Sequence, residues 1–269
     1  MTATGRLSKA RLLLRVLLAN REEFRDRVAT KLQVNWERLW RKPPSDHSVG
    51  FGEAVSLVEG GLLTDISQIL TESQLAPLEE KVLAGIERLK GSGPFALGHN
   101  ADPALARFCY LVCRCLAPAI VVETGVAYGV TSAYVLQALA LNGKGKLLSI
   151  DLPPLGRQAD RYVGALIPED LRDRWQVHRG PSRRVLPKLL SSTGNIDVFV
   201  HDSLHTYRNM TFELGAVWPH LRPSGAVIAD DAGENRAFAD FAKKANPRCW
   251  ALVRKQNRDS VFGVLFKAP

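Results

Sequence analysis

The stretch Val121–Val130, VVETGVAYGV, constrains the fold more than any other part of the chain. An apolar β run, AIVV at 119–122, leads into it. Glu123 stands at the strand's end, Gly125 and Gly129 follow, and a helical run, TSAYVLQALAL, begins at Thr131. Strand, glycine turn and helix in that order form the opening of a nucleotide-type site. Glycine lets backbone approach a ligand closely, and the first helical turn offers unpaired N–H groups to an anion. The spacing G-x-x-x-G differs from G-x-G-x-x-G, which counts against a dinucleotide fingerprint.

From residue 119 onward strands and helices alternate. Candidate strands are Ala119–Glu123, Lys146–Ile150, Trp175–Arg179, Ile196–His201, Ala226–Asp230, Cys249–Val253 and Val261–Phe266, with NRDS at 257–260 as the last turn. Such alternation predicts an α/β fold: a Rossmann-like, seven-stranded, mainly parallel sheet with helices on both faces. The region before it predicts an N-terminal helical appendage. Pro43 and Pro44 punctuate one boundary and GSGP at 91–94 the other. The expected organisation is a basic helical arm over 1–42, a helical appendage over 43–98 and the main domain over 99–269. Helices are predicted at Ser73–Leu89 and Asp102–Leu116.

The net charge of +9 is concentrated in the arm. Residues 1–42 hold 11 Lys/Arg and 4 Asp/Glu, while residues 43–269 hold 25 and 23. A nearly balanced main domain argues against stable nucleic-acid binding. Within the arm, ARLLLRVLL at 10–18 is too short to span a membrane and predicts a basic helix packed on the body or on a second subunit. The acids Glu22, Glu23 and Asp26 argue against a transit peptide. A homo-oligomer built through the N-terminal region is therefore expected. Cys109, Cys113, Cys115 and Cys249 complete no zinc set, so buried free thiols and a reducing, cytoplasmic setting are expected.

Open α/β sheets bind ligands beyond the carboxyl ends of their strands, so those tips are where chemistry is sought. Strand two ends on Asp151, an acid able to accept from both hydroxyls of a ribose. After strand three, Ser182 stands where an adenine could sit or where a helix could be capped. Strand four continues IDVFVHDSLHTY, placing Asp202 at its tip and His205 three residues on, while His201 faces away as a structural residue. Strand five ends AVIADD, adding Asp230 and Asp231. Three converging acids, with no lysine or arginine close in sequence, call for a hard divalent cation such as Mg²⁺. An imidazole beside it can take a proton at neutral pH.

The run from Ala119 to Asp231 resembles the class I S-adenosylmethionine (SAM)-dependent O-methyltransferases. It is most similar to a metal-dependent branch that includes macrolide-sugar O-methyltransferases, and more distantly similar to catechol O-methyltransferase. E-T-G-x-x-x-G at 123–129, Asp151, D-x-x-H-x-Y at 202–207, W-P-x-L-x-P-x-G at 218–225 and the pair at 230–231 carry the resemblance. It implies SAM as cofactor, held by Glu123, Gly125, Gly129, Thr131, Asp151 and Ser182. It implies Asp202, Asp230 and Asp231 as metal ligands, His205 as catalytic base and a small-molecule hydroxyl as acceptor. Asp231 stands where catechol enzymes have asparagine, and segment 1–98 carries no counterpart. Two rival readings are a metal-independent methyltransferase acting on protein or RNA, and a non-catalytic SAM-binding protein.

Overall fold

The structure, a computed structural model, describes residues 3–39, 47–62, 66, 68–91, 93–96, 101–156, 158–257 and 259–269. Pro43, Pro44, Ser92 of the 91–94 loop, Arg258 of the last turn and the expected boundaries at 42/43 and 98/99 lie outside these residues.

Seven strands form one sheet: β1 Ile120–Thr124, β2 Lys146–Asp151, β3 Trp175–Arg179, β4 Ile196–His201, β5 Leu221–Ala229, β6 Cys249–Arg254 and β7 Val261–Phe266. Their order is β3-β2-β1-β4-β5-β7-β6. β1 to β5 pair in parallel, and β7 runs antiparallel to both its neighbours. The expected Rossmann-like sheet is thus present, with each predicted strand displaced by a few residues at most except β5. That strand starts five residues earlier than expected, at Leu221. Its first part, LRPSG, contains turn residues, and Ser224 takes a left-handed φ of 58°. A register shift between Ile196 and Val198 absorbs the irregularity.

Alternate residues along the strands feed two cores, as the pleat requires. Val121, Val198, Val200, Ala226 and Ile228 pack with helix α5 (Pro103–Leu116) and helix α6 (Val130–Leu141) on one face. Val122, Phe199 and Val227 pack with α7 (Ser182–Thr193), α8 (Tyr207–Val217) and α9 (Ala237–Ala245) on the other. Helix α5 is held fast because Leu105, Phe108, Leu111 and Val112 are fully buried, each contributing about 1.5–3 kcal/mol. Asp102 caps it, accepting from Ala104 N at 2.9 Å. The same carboxylate accepts from Gln256 N and Asn257 N, pinning the turn after β6 to the start of α5. Cys109 and Cys113 are buried free thiols whose pKa values burial raises, as expected of inert core cysteines.

Helices α1 (Ala3–Ala19) and α2 (Arg21–Leu39) form the arm, with α3 (Phe51–Leu62) and α4 (Leu75–Leu89) following. Helix α2 lies on the body across the carboxyl edge of the sheet. Arg27 Nη2 donates to Pro153 O at 2.8 Å, Arg179 donates to the buried Glu23 at 2.6 Å, and Arg184 donates to Asp26 at 3.0 Å. Glu37 accepts from Tyr207 N and Arg208 N, capping α8. The arm is basic overall, yet among the described residues its acids Glu22, Glu23, Asp26 and Glu37 all bond to the body. Among the described residues no helix is long and apolar enough to cross a membrane.

Candidate active site

A cleft of about 1290 Å³ opens along the carboxyl edge of the sheet, between the strand tips and α2. One end is built from the β1–α6 turn. Gly125 has φ 85° and Gly129 φ 87°, both left-handed. A Cβ on Gly125 would stand 1.9 Å from Asp202 O, and one on Gly129 would meet Gly164 Cα at 2.8 Å. These glycines are therefore required by close approach of the chain to itself. Gly125 also couples the β1–α6 turn to the tip of β4, because Asp202 N donates to Thr124 O at 2.7 Å beside it.

Asp151 reaches back over this turn. Its Oδ2 accepts from Val126 N at 2.9 Å and Ala127 N at 2.8 Å, and the residue lines the cleft. Burial raises its pKa, and the backbone N–H groups of Ala127, Val126 and Leu152 offset part of that rise. Ser182 lines the same cleft as the first residue of α7, while Pro181 holds the capping position. Gly125 also lines it. Glu123, Gly129 and Thr131 stand behind the loop and not on the cleft wall. The Thr131 hydroxyl, in the first turn of α6, is buried without a hydrogen-bond partner.

Glu123 is 1 % exposed. Its Oε2 accepts from Ser132 Oγ and Ser149 Oγ, both at 2.7 Å, and its Oε1 has no hydrogen-bond partner. Burial, against the help of the two hydroxyls, pushes its pKa up to about 7 from 4.5. Between these values the folded state keeps a proton that the unfolded chain releases. Stability should therefore fall as pH rises from about 4.5 through 7, with the full penalty present above that. Glu123→Gln should abolish this decline. The variant should gain about 2–3 kcal/mol on wild type between pH 4.5 and pH 8, measured by denaturant unfolding at both values.

The other end of the cleft holds the acids. Ligand atoms of Asp202, His205 and Asp230 lie within 4.8 Å of one another. Burial, then the charge of Asp230, pushes the Asp202 carboxyl well above its usual range. His205 Nε2 is 3.6 Å from Asp202 Oδ1, and its Nδ1 is 3.3 Å from Asp231 Oδ2. Burial, then neighbouring His201, lowers the His205 pKa and so favours the neutral ring. Asp231 sits at a left-handed φ of 46°, and its carboxylate is not one of the converging three.

Sequence reasoning found no basic partner for these acids; the fold supplies one. Lys255, just past β6, has a fully buried side chain. Its Nζ donates to Asp231 Oδ1 at 2.5 Å and lies 2.6 Å from Asp230 Oδ1. Glu213, in the middle of α8, was equally invisible. It is wholly buried and accepts from Thr124 Oγ1, Ser203 Oγ and Asn209 Nδ2, with His201 Nδ1 at 2.6 Å. Burial opposes its ionisation, but His201 and the hydroxyls hold its pKa down to about 2. Glu213 thereby ties the tips of β1 and β4 to α8, and His201 serves this support as expected of a structural residue.

Residues 122–232 match the family model of a methyltransferase domain, Methyltransf_24. The matched segment is the one that builds this cleft. No curated protein matches the sequence. Similar solved structures include an O-methyltransferase from Bacillus cereus in complex with S-adenosylhomocysteine (SAH). It is 14% identical, with TM-score 0.56, over 76% of this chain and 98% of that one. The SAH-bound methyltransferase PaMTH1 of Podospora anserina is 12% identical, with TM-score 0.54, over 71% and 93% of the two chains. The O-methyltransferase TomG of Streptomyces achromogenes, solved with SAM, is 14% identical, with TM-score 0.51. Its match covers 92% of this chain and 99% of that one, reaching into the helices ahead of the sheet. At these identities the likeness establishes the fold.

Proposed function

We propose that the chain is a SAM-dependent O-methyltransferase acting on a small-molecule hydroxyl, with a divalent cation in its acidic corner. The observation that carries this is the placement of Asp202, His205 and Asp230 at one end of a cleft whose other end is the Asp151-braced glycine turn.

The residues fit both groups. Asp151 lines the cleft and would accept from ribose hydroxyls, while its Oδ2 keeps the turn in shape. Ser182 lies farther along the same wall, toward an adenine. Glu123, Gly129 and Thr131 lie behind the cleft wall, which leaves Gly125, Asp151 and Ser182 to meet the cofactor. At the acidic end, carboxylate oxygens of Asp202 and Asp230 converge with His205, a donor set that suits a hard divalent cation. Asp202 and Asp230 would hold that cation, since hard ions take oxygen ligands. When bound, it supplies a Lewis acid that lowers the pKa of an acceptor hydroxyl.

The remaining work belongs to the chain. His205, whose neutral ring burial favours, takes the acceptor's proton at Nε2, while Asp231 lies against its Nδ1. The cleft walls align acceptor and methyl donor, and such positioning can remove several kcal/mol of a barrier. A metal-independent reading draws on one observation, that Lys255 already places a positive charge among the acids.

Cofactor binding is tested through Asp151. Asp151→Asn keeps a carbonyl oxygen for Val126 N and Ala127 N but removes the charge presented to the ribose. Calorimetric titration with SAH should show a loss of about tenfold or more, with the melting temperature of the ligand-free protein little changed. Equal affinity in the two proteins would take Asp151 out of the cofactor site.

A further inference from the structure

We propose that Lys255 is a resident counter-cation of the acidic corner. It claims Asp231 as its own partner and thereby limits how tightly the corner holds a divalent ion. The inference rests on the metal-dependent reading above and concerns a residue to which that reading gives no role in binding or catalysis.

Four observations carry it. The Lys255 side chain is fully buried, and a buried ammonium must keep its ionic partners or pay a large desolvation cost. Its Nζ touches both members of the acidic pair, at 2.5 Å from Asp231 Oδ1 and 2.6 Å from Asp230 Oδ1. Its backbone is fixed, because Lys255 N donates to Ser260 O at 3.0 Å and the next two N–H groups are held by Asp102. Asp231, alone of the three acids, falls outside the group of converging ligand atoms. The ammonium therefore sits where it does whether or not an ion is present. It neutralises one carboxylate and repels an incoming cation at Asp230.

The consequence is a charge-counting rule that a double-mutant cycle can read. Relative to wild type, Lys255→Met adds one negative charge to the corner and Asp231→Asn removes one. The double variant restores the wild-type count. Mn²⁺ affinity, followed by the loss of free-ion signal in electron paramagnetic resonance, should follow that count. Lys255→Met should bind about tenfold or more tightly than wild type, and Asp231→Asn about tenfold or more weakly. The double variant should fall within about threefold of wild type. It is charge-matched and removes both members of the buried pair, so it tests the proposal even if Lys255→Met does not fold.

An affinity in the double variant as poor as in Asp231→Asn would make Asp231 a metal ligand and overturn the proposal. A folded Lys255→Met that binds Mn²⁺ no tighter than wild type would also overturn it, leaving the lysine a purely structural ion pair. The metal-dependent reading fails on a different result, full methyl transfer by wild type in EDTA. That result does not alter what the Mn²⁺ cycle shows of Lys255.

Discussion

Asp202→Ala should lose methyl transfer at millimolar Mg²⁺ without losing stability. The residue sits at the tip of β4 with its N–H held by Thr124 O, and Gly125 packs against its carbonyl. The backbone geometry that positions it does not depend on the carboxylate. The carboxylate itself is out of balance in the ligand-free protein, since burial and Asp230 both raise its pKa. Deleting it relieves that repulsion, so the melting temperature without metal should hold or rise. Metal binding should suffer heavily. Residues that merely orient ligands already cost 10–100-fold in affinity, so a ligand should cost at least about 100-fold, measured by Mn²⁺ titration. A variant that melts far below wild type would mean that Asp202 serves the fold first.

His205→Ala should separate proton transfer from binding. Metal and SAH affinities should stay near wild type, because the ring is assigned to the acceptor's proton. Loss of a general base should lower the rate by about 10²–10⁴-fold. The pH profile carries the sign. Burial and His201 place the His205 pKa below 6.5, so the wild-type rate should hold through neutral pH and fall only on the acid side. The variant should lack that acid limb and recover partly at high pH, where the acceptor hydroxyl ionises unaided. A variant with wild-type rate would return His205 to a structural role.

The sheet was legible because its signals are local. Strand runs such as AIVV, LLSID and FVH are short, apolar and bounded by turn residues, and the pleat sorts their side chains without help from distant sequence. The glycine turn after β1 was legible for the same reason. Its glycines were read as clearance for a ligand, but the close contacts they permit are with Asp202, Gly164 and Ile167. What escaped was brought together by topology. Lys255 is 24 residues beyond Asp231 in sequence. It reaches the acids because β7 is inserted antiparallel between β5 and β6, a placement the alternating pattern does not specify. Glu213 reads as an ordinary helical acid in MTFELGAV, and only the register of Thr124 with His201 shows what it joins. The arm's docking was hidden by its composition. Eleven basic residues dominate segment 1–42, whereas Glu23, Asp26 and Glu37 are among the residues that seat α2 over the cleft.

The central claim is metal-assisted transfer of a methyl group from SAM to a hydroxyl in this cleft. Its most direct test is mass spectrometry of the full-length protein incubated with CD₃-labelled SAM and a panel of phenolic and sugar hydroxyl acceptors. SAH should form together with a CD₃-ether of at least one acceptor, and the reaction should stop on addition of EDTA and resume with excess Mg²⁺. Transfer that continues undiminished in EDTA, or label that appears on nitrogen or on the protein itself and on no hydroxyl, would contradict the claim.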